Sequence, residues 1–163
     1  MKTLFAVRHA MPCRDFQGND YDRPLSDIGA SNCEKMGQHL LDYHPAIEAI
    51  RASSANRTRS TARLIAEQIN FPEDEIVQDE NWYLAPANVW LQVVQQLPEG
   101  CATAMIIGHN PGMSEFSQML QVEPEYQSFP PLSISKLQLD IDYWGEADWA
   151  TAKQLEYLCP GNL

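Results

Sequence analysis

The chain has 163 residues and carries 22 acidic against 11 basic side chains, a formal net charge of -11. One domain over residues 1–163 is expected, and so acidic a surface excludes nucleic acid and anionic membranes as partners, because both are bound through clustered Lys and Arg. No apolar run reaches membrane-spanning length, and the N-terminus opens on one Lys and a strand pattern, so a cytoplasmic protein is expected. Cys13, Cys33, Cys101 and Cys159 are scattered, without Cys-x-x-Cys spacing or a Cys/His cluster. They predict reduced thiols, with neither a zinc site nor a disulfide framework.

Leu4-Phe-Ala-Val7 is an apolar run that suits a strand buried on both faces, and Arg8-His9-Ala10 closes it. A strand ending in Arg-His delivers both side chains to the sheet's carboxyl edge, where open α/β sheets bind ligands. Met11 to Arg23 is polar and rich in turn formers, which predicts a loop above that edge. Ser26 reads as an N-cap, and Ile28, Cys33, Met36 and Leu40 at near-helical spacing predict a helix over about Asp27 to Tyr43. Ala49 to Ala52 predicts a second strand, followed by a polar turn and a helix over roughly Arg57 to Ile69. Ile76-Val77 suits a short edge strand. After Asp79-Glu80 and Trp82-Tyr83, a helix starts near Pro86 and turns Val89, Trp90, Val93, Val94 and Leu97 inward.

Ala102 to Ile107 is again an apolar strand that leads into Gly108-His109, and Asn110-Pro111-Gly112 turns into a short helix with Met113, Phe116 and Leu120 inward. Leu137, Leu139 and Ile141 alternate with polar residues as in a half-exposed strand, with Leu155 and Tyr157 on a hairpin partner across Gly145. The order predicts a three-layer α/β/α domain with a mainly parallel mixed sheet. His39 and His44, on or after a helix, read as hydrogen-bonded structural residues. Residues 1–63 hold nine of the eleven basic side chains and all seven arginines. Arginine binds phosphate bidentately, so that concentration coincides with the strand ends bearing His9 and Arg57.

Arg8-His9-Ala10, the segment Ser53 to Thr61 containing Arg57, and Gly108-His109 together resemble the signature of the histidine phosphatase superfamily. In that family the pattern is Arg-His-Gly, Ser-Pro-Ala-x-Arg-x-x-x-Thr and a later Gly-His. Arg23-Pro-Leu-Ser-x-x-Gly29 resembles the small SixA-type phosphohistidine phosphatases. The resemblance runs over essentially the full length and implies the phosphoglycerate mutase-like fold. It also implies catalytic roles for Arg8, His9, Arg57 and His109 and brings Arg23 to the pocket rim; Asp20 and Ser53 are expected on the substrate side. Ala10 and Ser54 depart from the pattern's glycine and proline, and residues 129–135 lack its Thr-Gly. If the backbone at residue 10 had positive φ, the missing glycine would cost about 1 kcal/mol or more.

The implied chemistry is attack by His9 on phosphorus and hydrolysis of the resulting phosphohistidine, with Arg8, Arg57 and a protonated His109 neutralising the phosphoryl oxygens. No cofactor is required. A metal site built on His9 and His109 competes as a reading, but the adjacent arginines would repel a cation. Asp20 and Glu80 are candidates for an acid that protonates a leaving group. The substrate implied is phosphohistidine on a protein partner. A small phosphorylated metabolite is the alternative, and a catalytically silent phosphate-binding module is the alternative of another class.

Overall fold

The structure is a computed structural model that describes residues 1–163. Six strands form one sheet in the order β3-β2-β4-β1-β5-β6, with β1 at Lys2–Arg8, β2 at Ala49–Ser53, β3 at Val77–Asp79, β4 at Thr103–Gly108, β5 at Ile134–Leu139 and β6 at Ala152–Leu158. The first four are parallel. β5 runs antiparallel to β1, and β6 antiparallel to β5. Helices α1 (Asp27–Tyr43) and α2 (Asn56–Gln68) cover one face, and α3 (Ala87–Gln95) and α4 (Gly112–Leu120) the other.

The three layers follow from period-2 alternation in strands buried on both sides. In β1, Leu4 and Ala6 enter the core under α3 and α4 with Trp90, Val94 and Phe116, while Phe5 and Val7 enter the core under α1 and α2 with Met36, Leu40 and Ile65. Ile106 of β4 joins the first core, and Met105 and Ile107 join the second. No helix is long and apolar enough to cross a membrane.

The expected elements are present, with shifts that have physical causes. The expected hairpin turn at Gly145 is instead a longer connection, residues 140–151, containing a 3-10 turn at Trp144–Glu146. Trp144 is fully buried there and donates from Nε1 to the Cys101 carbonyl at 2.8 Å, so core packing, not turn chemistry, sets the length of the link. Ile141 lies beyond the end of β5. Ala10 has no positive φ and is fully buried, so the glycine it replaces is not required for backbone conformation.

The Ser-x-x-Gly segment has a direct structural reason. Ser26 donates from its backbone N–H (2.9 Å) and its hydroxyl (3.1 Å) to the Met11 carbonyl, and its Oγ accepts the Gly29 N–H at 3.0 Å, capping α1. A Cβ at Gly29 would lie 2.2 Å from that same Met11 oxygen. Gly29→Ala should therefore push the loop off the helix start and cost about 1–3 kcal/mol or more, the scale of overpacking against a group that cannot yield. The check is a lower denaturant midpoint with an unchanged m-value.

Candidate active site

The register of the parallel strands builds the site. Arg8 pairs with Gly108 across β1 and β4, so the next residues, His9 and His109, emerge side by side with ring centroids 5.3 Å apart. Both are almost fully buried. The neighbouring strand β2 ends in Ser53, and α2 begins three residues later, bringing Arg57 to the same edge on its first turn. Asp20 comes from a 3-10 turn, Asp20–Asp22, in the loop after β1.

His9 is fixed in one tautomer by its neighbours. Nδ1 lies 2.7 Å from the carbonyl oxygen of Ala10, an acceptor only, so Nδ1 carries the proton. Nε2 accepts from Arg57 Nε at 3.3 Å, so the lone pair faces the cationic side of the site. Burial pushes the ring down to about 4, helped by Arg57 and Arg8 and opposed by the Ala10 carbonyl, and it is neutral at physiological pH.

His109 places Nε2 2.9 Å from the Ser53 hydroxyl. Ser53 Oγ also accepts the Ala55 N–H at 3.3 Å; with the hydroxyl proton turned to Nε2, the neutral ring carries its own proton on Nδ1, free to donate. Burial, with His9 and Arg57 adding to it, pushes His109 down to about 3. In the protein without ligand the ring is therefore a neutral N–H donor. Ser53 is fully buried behind it and pairs with His109.

Arg57 is the most fully engaged group. Besides His9 it donates from Nη1 to the Asp20 carbonyl at 2.7 Å and from Nη2 to Asp20 Oδ2 at 2.9 Å. Asp20 Oδ2 also accepts from the Tyr83 hydroxyl at 2.5 Å. That hydrogen bond, with the Arg57 bond and charge, holds the Asp20 carboxyl down at about 2, while burial and the carboxylate raise the Tyr83 phenol. Asp20 is therefore a carboxylate at neutral pH in the protein without ligand. Arg23 stands behind it on the rim, donating to the Cys13 carbonyl at 2.8 Å and approaching Asp20 Oδ1 at 3.4 Å. Arg8 donates Nη1 to the Phe129 carbonyl at 3.0 Å.

Two buried donors at this edge, Arg8 Nε and His109 Nδ1, have no hydrogen-bond partner. Leaving a buried donor unpaired costs about 1–3 kcal/mol, and two together beside a guanidinium describe a site for an anionic oxygen ligand. Lined by arginines, it does not suit a metal ion held between His9 and His109.

Glu80 is not brought in. Its side chain is exposed on the turn before Tyr83 and makes no hydrogen bond. Tyr83, not among the expected site residues, reaches Asp20 in its place and packs edge-on against His109 at 5.3 Å and Tyr21 at 5.1 Å. Thr61 is the other supporting residue: Oγ1 accepts the Ala10 N–H at 3.0 Å and donates to the Arg57 carbonyl at 2.7 Å. The Arg-x-x-x-Thr spacing signals that bond, because residues four apart share a helix face.

Residues 4–83 match the family model of the histidine phosphatase superfamily (branch 1). An uncharacterized chloroplastic protein of Arabidopsis thaliana is 28% identical over 128 residues, covering 73% of this chain, which spans 59% of that protein. Among solved structures, a SixA from Nakamurella multipartitia superposes with a TM-score of 0.86 at 22% identity, covering 98% of this chain and 96% of its own. The protein histidine phosphatase SixA complexed with tungstate superposes with a TM-score of 0.85 at 20% identity, covering 98% of both chains.

The burial of His9 and His109 makes a prediction about protons. Each folded pKa lies below the unfolded value near 6.5, so the folded state binds fewer protons, and stability from these rings is present above pH 6.5 and lost as pH falls toward 4 and 3. In NMR titration of the ring resonances, His9 should remain neutral through pH 6 and titrate near 4. A midpoint near 6.5 would contradict the depression of the ring's pKa by burial.

Proposed function

Because residues 4–83 match the model of the histidine phosphatase superfamily, we propose that the chain is a phosphatase of that superfamily that works through a covalent phosphohistidine on His9 and acts on phosphohistidine carried by a protein partner. The observation that carries this reading is the state of His9: neutral, with its proton committed to the Ala10 carbonyl and its Nε2 lone pair turned toward Arg57. That is a nucleophile prepared by position and desolvation.

In the first step His9 Nε2 attacks phosphorus, and the bond from phosphorus to the substrate's ring nitrogen breaks. Its electron pair stays with that imidazole, which has taken a proton from solvent. The His9 ring gains positive character, which the Ala10 carbonyl stabilises through the 2.7 Å contact. Arg57 Nε, relieved of the lone pair, is free to donate to a phosphoryl oxygen, alongside Arg8 Nε and His109 Nδ1. In the second step water attacks phosphorus, the pair returns to Nε2, inorganic phosphate leaves, and a water proton passes to solvent.

A phosphoramidate substrate is favoured because neither candidate acid is equipped for the role. Asp20 is ionised, and the Glu80 side chain is exposed and makes no hydrogen bond. The likeness of fold to SixA structures supports the same choice. One observation favours the alternative, a small phosphorylated metabolite: the Tyr83 hydroxyl is a neutral O–H donor beside Arg57 that could serve an alkoxide leaving group.

His9→Ala should abolish turnover and the acid-labile phosphoryl label, and vanadate should inhibit while chelator leaves the rate unchanged. Activity abolished by EDTA and restored by Mg²⁺ would overturn the mechanism. Arg57→Ala and His109→Ala should each lower kcat roughly 10²-fold or more, the scale of losing one preorganised donor. If neither changed kcat, their place would be in ground-state binding alone.

The leaving group decides between the substrates. Across a series of phosphomonoesters, Asp20→Asn and Glu80→Gln should show little new dependence on leaving-group pKa. A steep dependence in either, on the scale of about 10²-fold or more for poor leaving groups, would move the enzyme to the phosphomonoester reading.

A further inference from the structure

Away from the phosphate edge, the structure gathers three potential metal ligands that the sequence scatters. His39 lies in the last turns of α1, His44 is the residue that ends it, and Glu156 lies on edge strand β6. One ligand atom from each falls within 4.8 Å of the others. His44 Nε2 is 3.4 Å from Glu156 Oε2, the His44 side chain is only 3% exposed, and the two imidazoles stand 5.4 Å apart. His39 Nε2 is buried with no hydrogen-bond partner. His44 conforms to the expectation of a hydrogen-bonded structural histidine; His39 leaves a ring nitrogen unexplained.

We propose that His39, His44 and Glu156 form a binding site for a divalent transition metal, of which zinc is the type, tying the end of α1 to the edge of the sheet. Two imidazoles and one carboxylate are a borderline donor set that suits zinc and leaves a fourth position for water. Bonds of about 2.0–2.2 Å from N and O ligands require the three atoms to close by roughly an ångström. Glu156, 41% exposed at its side chain, can make that movement and opens a path from solvent. The place is separate from the phosphate edge: His44 packs edge-on against Phe5, three residues back along β1 from Arg8, about 10 Å at the rise of a strand.

Lys136 on β5 is the group that opposes the ion. Its Nζ lies 3.2 Å from His44 Nδ1 and 5.7 Å from the centroid of the Phe5 ring. An ammonium donating to Nδ1 puts the His44 proton on Nε2, facing Glu156. Metal on Nε2 requires that proton to move to Nδ1, where it would meet the ammonium, so Lys136 must swing off the ring. The site is thus built with its own competitor, and exchanging that competitor for an acceptor should strengthen it. In Lys136→Gln the amide oxygen can accept the Nδ1–H, the kind of outer contact worth about 10–100-fold in metal affinity.

The test is titration of untagged, metal-stripped protein with Zn²⁺ by calorimetry, and with Co²⁺ by visible absorption. One equivalent of Zn²⁺ should bind and raise Tm, and Co²⁺ should give the intense d–d bands of a four-coordinate site. His39→Ala and Glu156→Gln, both at partly exposed positions, should each weaken binding at least tenfold, while Lys136→Gln tightens it about tenfold. Phosphatase turnover should be the same in these variants as in the parent. No saturable binding, or binding indifferent to His39→Ala and Glu156→Gln, overturns the site. Unchanged affinity in Lys136→Gln overturns His44 Nε2 as a ligand and with it the three-residue arrangement. Neither failure bears on phosphoryl transfer, which is read separately at His9.

Discussion

The guanidinium of Arg57 is the contact on which the phosphate edge depends. A buried cation must be compensated by hydrogen bonds or opposite charge, and this one is compensated from three directions: His9 Nε2, the Asp20 carbonyl and the Asp20 carboxylate. The same residue fixes the backbone, since Thr61 bridges its carbonyl to the Ala10 N–H. The first turn of α2 is thereby joined to the end of β1 and to the loop that follows. Strand, helix and loop meet at one side chain, and displacing it would free all three.

The electrostatics of this edge run against those of the whole chain. A net charge of -11 repels small polyanions at long range, yet Arg57 and Arg23 hold the Asp20 carboxylate and Arg8 ends the neighbouring strand, with both histidines neutral. Attraction for a phosphoryl group is therefore short-ranged and geometric, made of fixed donors and not of a broad positive field. Such an arrangement rewards a ligand delivered by other contacts. That is consistent with a phosphoryl group borne on a protein more than with a free, highly charged metabolite.

Much of this architecture was legible in the sequence because the determinants are local. Apolar runs ending in Arg8-His9 and Gly108-His109 mark strands and their edge, and Ser26 with Gly29 marks a capped helix start. The α1 and α2 boundaries fall within a residue or so of the pattern. What was hidden depends on long-range packing. The length of the β5–β6 connection is set by Trp144 reaching Cys101. Asp20 and Tyr83, 63 residues apart, give no local sign of sharing a proton. The neutrality of His109 follows from burial and charged neighbours that no spacing reveals, and Glu156 meets His39 and His44 only once β6 is laid beside β5.

A neutral His109 also changes how a phosphoryl charge would be met. Its low pKa comes from burial first and then from His9 and Arg57, against the opposing charge of the Asp20 carboxylate. A dianion brought against Nδ1–H reverses the balance, because a nearby negative charge favours the imidazolium form. Binding would then draw a proton onto His109, on Nε2, where the Ser53 hydroxyl at 2.9 Å can turn from donor to acceptor. The Ala55 N–H already shares that oxygen, and a hydroxyl has lone pairs enough for both. Ser53, buried behind the ring, has the donor and acceptor capacity to pair with His109 in either state.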